Sequence, residues 1–313
     1  MGAFAPWSGI TLFSGNLMSN RLLKEKLVEK GLYFTALVSL LALAGIVIFL
    51  FMEGMPLFAH YSLGEFFFGD LWYPAEDPGV FGILPLITGS LAVTLLSSVL
   101  AIPLGVFTAI YLNEIAHSNT RRILKPFIEL LAALPSVVLG FLGMVVLAPF
   151  IQDVFGADTG LNLLNAALVL TVMTVPTICS ISEDALHSVP NSLREGSLAL
   201  GATKWQTIVR VVVPAAISGI GTAIMLGMSR AIGETMVVLM CAGGAGIIPD
   251  SLFTPIRPMP ASIAAEMAEA PFGSDHYHAL FAIGIVLFVF TFIFNVIAYR
   301  IAAKHRQVGT SSL

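Results

Sequence analysis

Two ionisable residues stand in an otherwise apolar stretch. Arg230 and Glu234 lie four positions apart inside the run from Pro214 to Met240, and on a continuous helix that spacing puts both on one face. Each ionised group at membrane depth costs about 2.5 to 3.5 kcal/mol on insertion scales unless it meets a partner, a cavity or water. A guanidinium offers five fixed donors and keeps its charge, which suits an oxyanion crossing a wet cavity. A carboxylate beside it would hold the guanidinium in place and weaken its grip, so that the anion is recognised without being trapped. The competing reading is an intrahelical pair that only fixes the helix against a neighbour, with Arg before Glu the weaker order. Glu129, at the cytoplasmic end of another apolar run, reads as an interfacial or loop-packing group.

Other chemistries find less support. The spans hold no Ser with a buried base, no paired Asp and no His-x-x-x-His set, so an intramembrane enzyme is a distant alternative and the chain reads as non-catalytic. His276-x-His278 offers two nitrogens at a solvated helix start, a poor metal site, and none is expected. Cys179 and Cys241 sit in or beside apolar runs and read as inert packing groups. A Walker-type phosphate loop is absent, since Gly201-Ala-Thr-Lys204 has the wrong spacing, so ATP must be hydrolysed elsewhere.

The surroundings of these residues follow from composition. Of 313 residues 57% are hydrophobic and 11% charged, against roughly 25% charged in a soluble domain, and mean hydropathy is +0.91. The solvent for most of the chain is therefore lipid. A net charge of -4 gives no sign of a nucleic-acid partner. Six apolar runs are long enough to cross a bilayer: about Leu32 to Met52, Ile83 to Leu112, Pro126 to Phe150, Asn165 to Ile181, Pro214 to Met240 and Ala279 to Ala302. The fold class expected is an all-α polytopic membrane protein with six transmembrane helices. Met1 to Asn20 has no basic n-region and is not read as a signal peptide. Pro6 stands where an N-myristoylation signal needs Ser or Thr.

Thirteen of the fifteen Lys and Arg residues fall before the first run, after the second, after the fourth or at the close of the sixth, leaving only Arg230 and Arg257. The opposite loops are acidic, with Glu53, Glu65, Asp70, Glu76, Asp77, Asp250, Glu266 and Glu269 among their carboxylates. Positive residues accumulate on the cytoplasmic side of short loops, so both termini are expected there.

The cytoplasmic loop from Ser182 to Ile208 reads as two short helices, with Pro190 and Asn191 starting the second, Gly201 stopping it and Ala202-Thr203 beginning a further helix that Pro214 leads into the membrane. Leu193, Ser197 and Leu200 share one face of the short helix and Trp205 is placed to anchor at the interface. Such a helix implies either a cytoplasmic partner or packing on its own bundle.

Within that loop Glu195-Gly196-Ser197, three residues, Gly201, nine residues and Val211-x-Val213-Pro214 resemble the coupling signature of ABC-importer permeases, written EAA, x3, G, x9, I-x-L-P. The departures are small or aliphatic: Gly196 and Ser197 for two alanines, valines for Ile and Leu. Trp72-x-Pro74 with Phe81-Gly82-Ile83-Leu84-Pro85, then Pro135-Ser136-Val137-Val138-x-Gly140, then Arg230-Ala-Ile-Gly-Glu-Thr-Met look like the PstC-type permease of the phosphate-specific importer. The resemblance covers roughly Leu71 to Arg300 and implies the type I ABC-importer permease architecture. It also implies Arg230 and Glu234 as pathway charges, with Pro135, Ser136 and Thr235 as lining, and Glu195, Gly196, Ser197, Ala199, Leu200, Gly201 and Pro214 as the coupling set. The implied partners are a PstA-type permease, a cytoplasmic ATPase dimer that binds ATP and Mg, and a periplasmic phosphate-binding protein. No cofactor is implied for this chain. A permease for another oxyanion, such as sulfate or molybdate, is the nearest alternative; an ion-coupled secondary carrier would have little use for the coupling signature.

The expected organisation is a cytoplasmic segment over 1–31, a transmembrane permease domain over 32–303 with its coupling loop at about 183–213, and a cytoplasmic tail over 304–313 in a bacterial inner membrane. A reporter fused after Leu313 should be cytoplasmic and one inserted between Glu53 and Gly82 external, read by protease or thiol accessibility. The opposite placement of both would overturn the orientation.

Overall fold

The computed structural model describes residues 11–76 and 78–306, with side chains described for 25–297 apart from 77, and for 299 and 300. Residues 1–10, Asp77 and 307–313 lie outside the described residues, and with them the start of the N-terminal segment and the end of the tail. The side chains of Arg21, Lys24, Lys304 and Arg306 are outside them too.

The chain divides into two compact units, one ending at Met52 and one beginning at Glu53. The described part of the first lies in helix α1 (Thr11–Gly54), whose last two residues belong to the second. At 1.5 Å per residue its 44 residues run about 66 Å, well beyond a hydrocarbon core of about 30 Å. The apolar run Leu32 to Met52 lies inside it, and long side chains such as Leu32, Phe34, Leu40 and Ile46 are exposed.

The second unit begins with a 3-10 turn (Met55–Ala59), helix α2 (Leu63–Phe68) and a hairpin of strands β1 (Trp72–Tyr73) and β2 (Val80–Phe81). The strands are antiparallel, with Trp72 opposite Phe81. Helix α3 (Leu84–Ile110) ends in a π-helical turn (Tyr111–Ile115). It is followed by α4 (Ser118–Ala133), α5 (Ser136–Leu142), a second π-helical turn (Gly143–Leu147), α6 (Ala148–Phe155) and α7 (Leu163–His187). The chain continues through α8 (Asn191–Ala199), α9 (Lys204–Thr207), a third π-helical turn (Ile208–Val212), α10 (Val213–Ile232), α11 (Met236–Cys241), α12 (Met259–Glu266) and α13 (Asp275–Arg306).

Six helical stretches are long and apolar enough to cross a membrane. The third and fifth differ most from the sequence expectation. The third begins at Ser136 and not at Pro126, because Pro135 has no N–H and holds Leu134 in an extended conformation (ψ 134) that a helix cannot pass through. Residues from Pro126 to Ala133 therefore belong to α4, which buries none of its side chains, and Glu129 is exposed on that helix, not at the end of a span. The fifth stretch ends at Ile232, eight residues short of Met240. The first of the two expected loop helices is simply the continuation of α7 to His187.

Helix α7 is the centre of the packing. A Cβ on Gly105 of α3 would lie 2.8 Å from Ile178, and one on Gly227 of α10 would lie 2.6 Å from the same side chain. Lipid tails are as apolar as leucine, so close approach at small residues replaces the hydrophobic drive that holds soluble helices together. Small hydroxyls fill the seam: Thr171 on α7 donates to Ala167 O at 2.7 Å and reaches Ser97 O of α3 at 3.3 Å.

On the acidic side of the bundle the segment after α11 folds back as an outer layer. Ile256 N donates to Ala242 O, and Met259 N at the start of α12 donates to Ser90 Oγ of α3 at 2.8 Å. Buried Glu266 ties this layer together. Both its oxygens accept from Trp72 Nε1 at 3.1 Å, His276 Nε2 lies 3.0 Å away, and Arg257 pairs with it while donating through Nε to Gly244 O. Removing one member of a buried charged network strands the others. Glu266→Leu should therefore destabilise the fold by about 3 kcal/mol, and Trp72→Phe by about half of that, read as melting temperature of the detergent-purified protein. Unchanged melting in Glu266→Leu would show that the cluster carries no stability.

Candidate functional site

The decisive feature is a break in the helix that carries Arg230. Helix α10 ends at Ile232, Gly233 caps it, and Glu234 and Thr235 are unwound before α11 starts. The shared helical face expected for Arg230 and Glu234 therefore does not exist, and among the described residues no ion pair joins them. Arg230 occupies the last turn of α10, where unsatisfied carbonyls favour a cation. Its guanidinium is exposed and reaches Thr177 Oγ1 on α7 through Nη1 at 3.4 Å. Glu234 is half-buried, and Thr235 turns its hydroxyl back to Gly233 O at 3.4 Å.

Helix α11 is held in place by α5. A Cβ on Gly140 would lie 3.0 Å from Met240 Sδ and one on Gly143 2.5 Å from Cys241 Sγ, while the Cys241 thiol reaches Gly140 O at 3.3 Å. The segment that opens with Pro135 and Ser136 thus packs beside the segment that opens with Thr235. Pro135 is the cap of α5 and Ser136 its first residue. A helix broken at membrane depth leaves unpaired backbone groups, which are tolerated where the break is covered by protein or faces a water-filled cavity.

At the basic end of the bundle, α8, like α4, buries none of its side chains. Glu195, Gly196, Ala199 and Leu200 are all exposed, Leu200 at 91%. Gly196 has open space where a Cβ would go, and Gly201 closes the helix at φ +84, a left-handed position that glycine adopts without strain. Thr203 then caps α9 in a reciprocal pair with Gln206. Pro214 follows the third π-helical turn, and the wider turn accommodates a ring that would otherwise meet the preceding coil.

Helix α8 is tied to the bundle through polar groups. Arg194 donates to Glu114 Oε1 and Leu186 O, each at 2.9 Å, and to Val189 O, and Ser197 Oγ meets Thr207 Oγ1 at 3.0 Å. Nearby, buried Glu183 on α7 takes Arg121 at 2.6 Å and Lys125 at 3.1 Å, both from α4. Sequence reasoning used Arg121, Lys125 and Arg194 only to orient the loops. The i, i+4 spacing of Arg121 and Lys125, with one carboxylate just beyond an apolar run, was the signal for the Glu183 cluster. Glu114 carried no such signal, because its partner lies 80 positions away.

The family described as "Binding-protein-dependent transport system inner membrane component" matches residues 101–307. The chain is similar to a probable ABC transporter permease protein, YqgH, of Bacillus subtilis, at 43% identity covering 87% of this chain and 89% of that protein. It is similar to the phosphate transport system permease protein PstC of Mesorhizobium japonicum at 34% identity, covering 84% and 85%. Among solved structures it resembles a chain of a bacterial alginate ABC transporter in complex with alginate pentasaccharide-bound periplasmic protein, with TM-score 0.60 and 15% identity over 96% of this chain and 99% of that one. At that identity the likeness speaks for the fold.

Proposed function

Since the chain belongs to the family of binding-protein-dependent transport system inner membrane components, we propose that it is the PstC-like permease subunit of an ATP-driven phosphate importer. Phosphate, rather than another oxyanion, is favoured by the names of the relatives at 31 to 34% identity. In this reading the permease domain spans 32–303, and the N-terminal segment 1–31 and tail 304–313 lie with both termini in the cytoplasm. The chain catalyses no reaction and binds no cofactor. ATP and Mg belong to a cytoplasmic ATPase dimer, and a periplasmic phosphate-binding protein delivers the anion.

The observation that carries the pathway role is Arg230 itself, a permanent cation on an apolar helix with no anionic partner among the described residues. A scaffold role would need a counter-charge, and the break at Gly233 takes Glu234 out of register. An arginine without that partner can offer its donors to two oxygens of a phosphate. Glu234, beyond the break, disfavours a second anion and limits dwell time. Because Arg230 is exposed on this chain, a second permease subunit of the PstA type is needed to close a cavity around it, with Thr235 and the Pro135-Ser136 segment near its wall.

Coupling enters through Glu195 to Gly201. The bare surface at Gly196 suits close docking of an ATPase, whose closure on ATP moves α8 and turns the cavity from one side of the membrane to the other. The carrier alternative, an Arg230–Glu234 relay, gains nothing from two residues that do not pair.

Two variants test these roles. Arg230→Gln should assemble at normal abundance yet lose phosphate uptake by roughly a hundredfold, the loss of one strong charged hydrogen-bonding pair at low dielectric; uptake near the parent level would remove Arg230 from the pathway. Gly196→Gln adds bulk where the chain itself has room and improves helix propensity. Folding should be intact while ATP hydrolysis stimulated by loaded binding protein falls about tenfold, and full stimulation would mean that α8 is not the docking helix.

A further inference from the structure

The way α8 is attached to the bundle raises a question that docking alone does not answer: how a push on a helix with no buried side chain reaches the spans. A surface helix usually transmits force through an apolar face wedged into its neighbours. Helix α8 has none, and its Leu193, Leu198 and Leu200 are all exposed. Its covalent neighbours are α7 through Ser188 to Pro190 and α9 through Leu200 to Thr203. Nothing in the chain path joins it directly to α3, which ends at Ile110, 81 positions before Asn191.

Arg194 makes that missing link. Its guanidinium sits 19% exposed against a Glu114 side chain 10% exposed, so the pair is largely out of water. Nη2 is shared between Glu114 Oε1 and Leu186 O, and Nη1 between Val189 O and Asn191 Oδ1. Glu114 is fixed in turn by Asn113 Nδ2 at 2.7 Å. The guanidinium therefore closes the end of α7, where four carbonyls lack helical partners, and grips the end of α3 at the same time. Glu114 lies inside the π-helical turn Tyr111–Ile115, and Ser197 bonds to Thr207 immediately before the π-helical turn Ile208–Val212. Isolated π-helical turns are wider and less well bonded than the coil around them and recur where helices flex. Helix α8 thus holds two such turns, one under α3 and one under α10, by side-chain bonds alone.

We infer that the Arg194–Glu114 pair is the joint that carries motion of α8 into α3, so that three spans, not two, follow the docking helix. The inference rests on the proposed docking of an ATPase to α8 and names positioning residues, since neither group meets ATP or the transported anion. A planar guanidinium suits this task because it bridges a carboxylate and two carbonyls rigidly, whereas an ammonium would hold them as a point charge. With the pair intact, closing the ATPase draws α3, α7 and α10 together. With it broken, α3 follows only through its packing on α7, its end at the Tyr111–Ile115 turn lags behind α8, and ATP is spent without moving the anion.

The test uses the full importer purified and reconstituted in proteoliposomes, with phosphate as substrate and the ratio of ATP hydrolysed to phosphate imported as the readout. Glu114→Gln keeps the shape of the side chain and leaves Arg194 its carbonyl contacts. It should retain assembly and ATP hydrolysis while the ratio rises about tenfold, the loss of one charge-assisted bond. Arg194→Lys keeps the charge and loses the fork, and should raise the ratio by a smaller factor in the same direction. A ratio equal to that of the parent in Glu114→Gln would overturn the joint, and so would failure of both variants to assemble, since the pair would then be a folding determinant only. The Gly196→Gln importer separates the two levels of the argument. If it loses stimulated hydrolysis while Glu114→Gln has the parent ratio, docking stands and the joint falls; if Gly196→Gln is fully stimulated, docking itself falls.

Discussion

Hydrocarbon offers no hydrogen bonds, so a spanning chain must settle every backbone group and every charge from its own atoms or from a cavity. That constraint explains where this bundle is regular and where it is not. Helices α3 and α7 run side by side with hydroxyls turned back onto backbone carbonyls, as Thr171 does on Ala167. The departures fall at Leu134-Pro135 and at Gly233, the two ends of the segments that bring α5 and α11 together. A break at such a place costs unpaired backbone, and the arrangement of α5 against α11 through Gly140, Gly143 and Cys241 supplies the cover.

The charges obey the same constraint in two different ways. At either end of the bundle a buried carboxylate collects polar side chains from other elements. Glu183 takes Arg121 and Lys125, and Glu266 takes Arg257, His276 and the Trp72 indole. Such clusters hold elements in register, because removing one member leaves the rest stranded. Arg230 is the contrast: it meets a threonine hydroxyl and, among the described residues, forms no ion pair. An unpaired cation is costly unless something else fills its coordination sphere, and that asymmetry makes it the candidate to meet an anion.

A transporter subunit needs parts that hold and parts that give. Of the three π-helical turns, Tyr111–Ile115 ends the second span, Gly143–Leu147 lies inside the third and Ile208–Val212 lies in the first part of the fifth; the first and last of them are tied to the exposed helix α8 through Glu114 and Thr207. The buried clusters keep elements in register, and the wider π-helical turns are the places where backbone bonding within the spans is weakest.

Much of this could be seen in the residue order. Lipid as solvent, six spans, the basic and acidic loops and the start and stop of α8 at Asn191 and Gly201 all depend on composition or on local chain chemistry, which a one-dimensional pattern records. The end of the fifth span was not legible, because Gly233 has φ -94, an angle open to any residue, and the run stays apolar through Met240. Apolarity marks burial in lipid and says nothing about direction, so the sequence presented Arg230 and Glu234 as helical neighbours and the third span as starting ten residues early. Only the tertiary structure decided that α11 turns aside to pack on α5, that Glu114 meets Arg194 across 80 positions and that Glu266 gathers the outer layer. The physical reason is that a helix's identity is written in its own turns, whereas the partner of a charge is set by which distant elements the packing brings within about 3 Å.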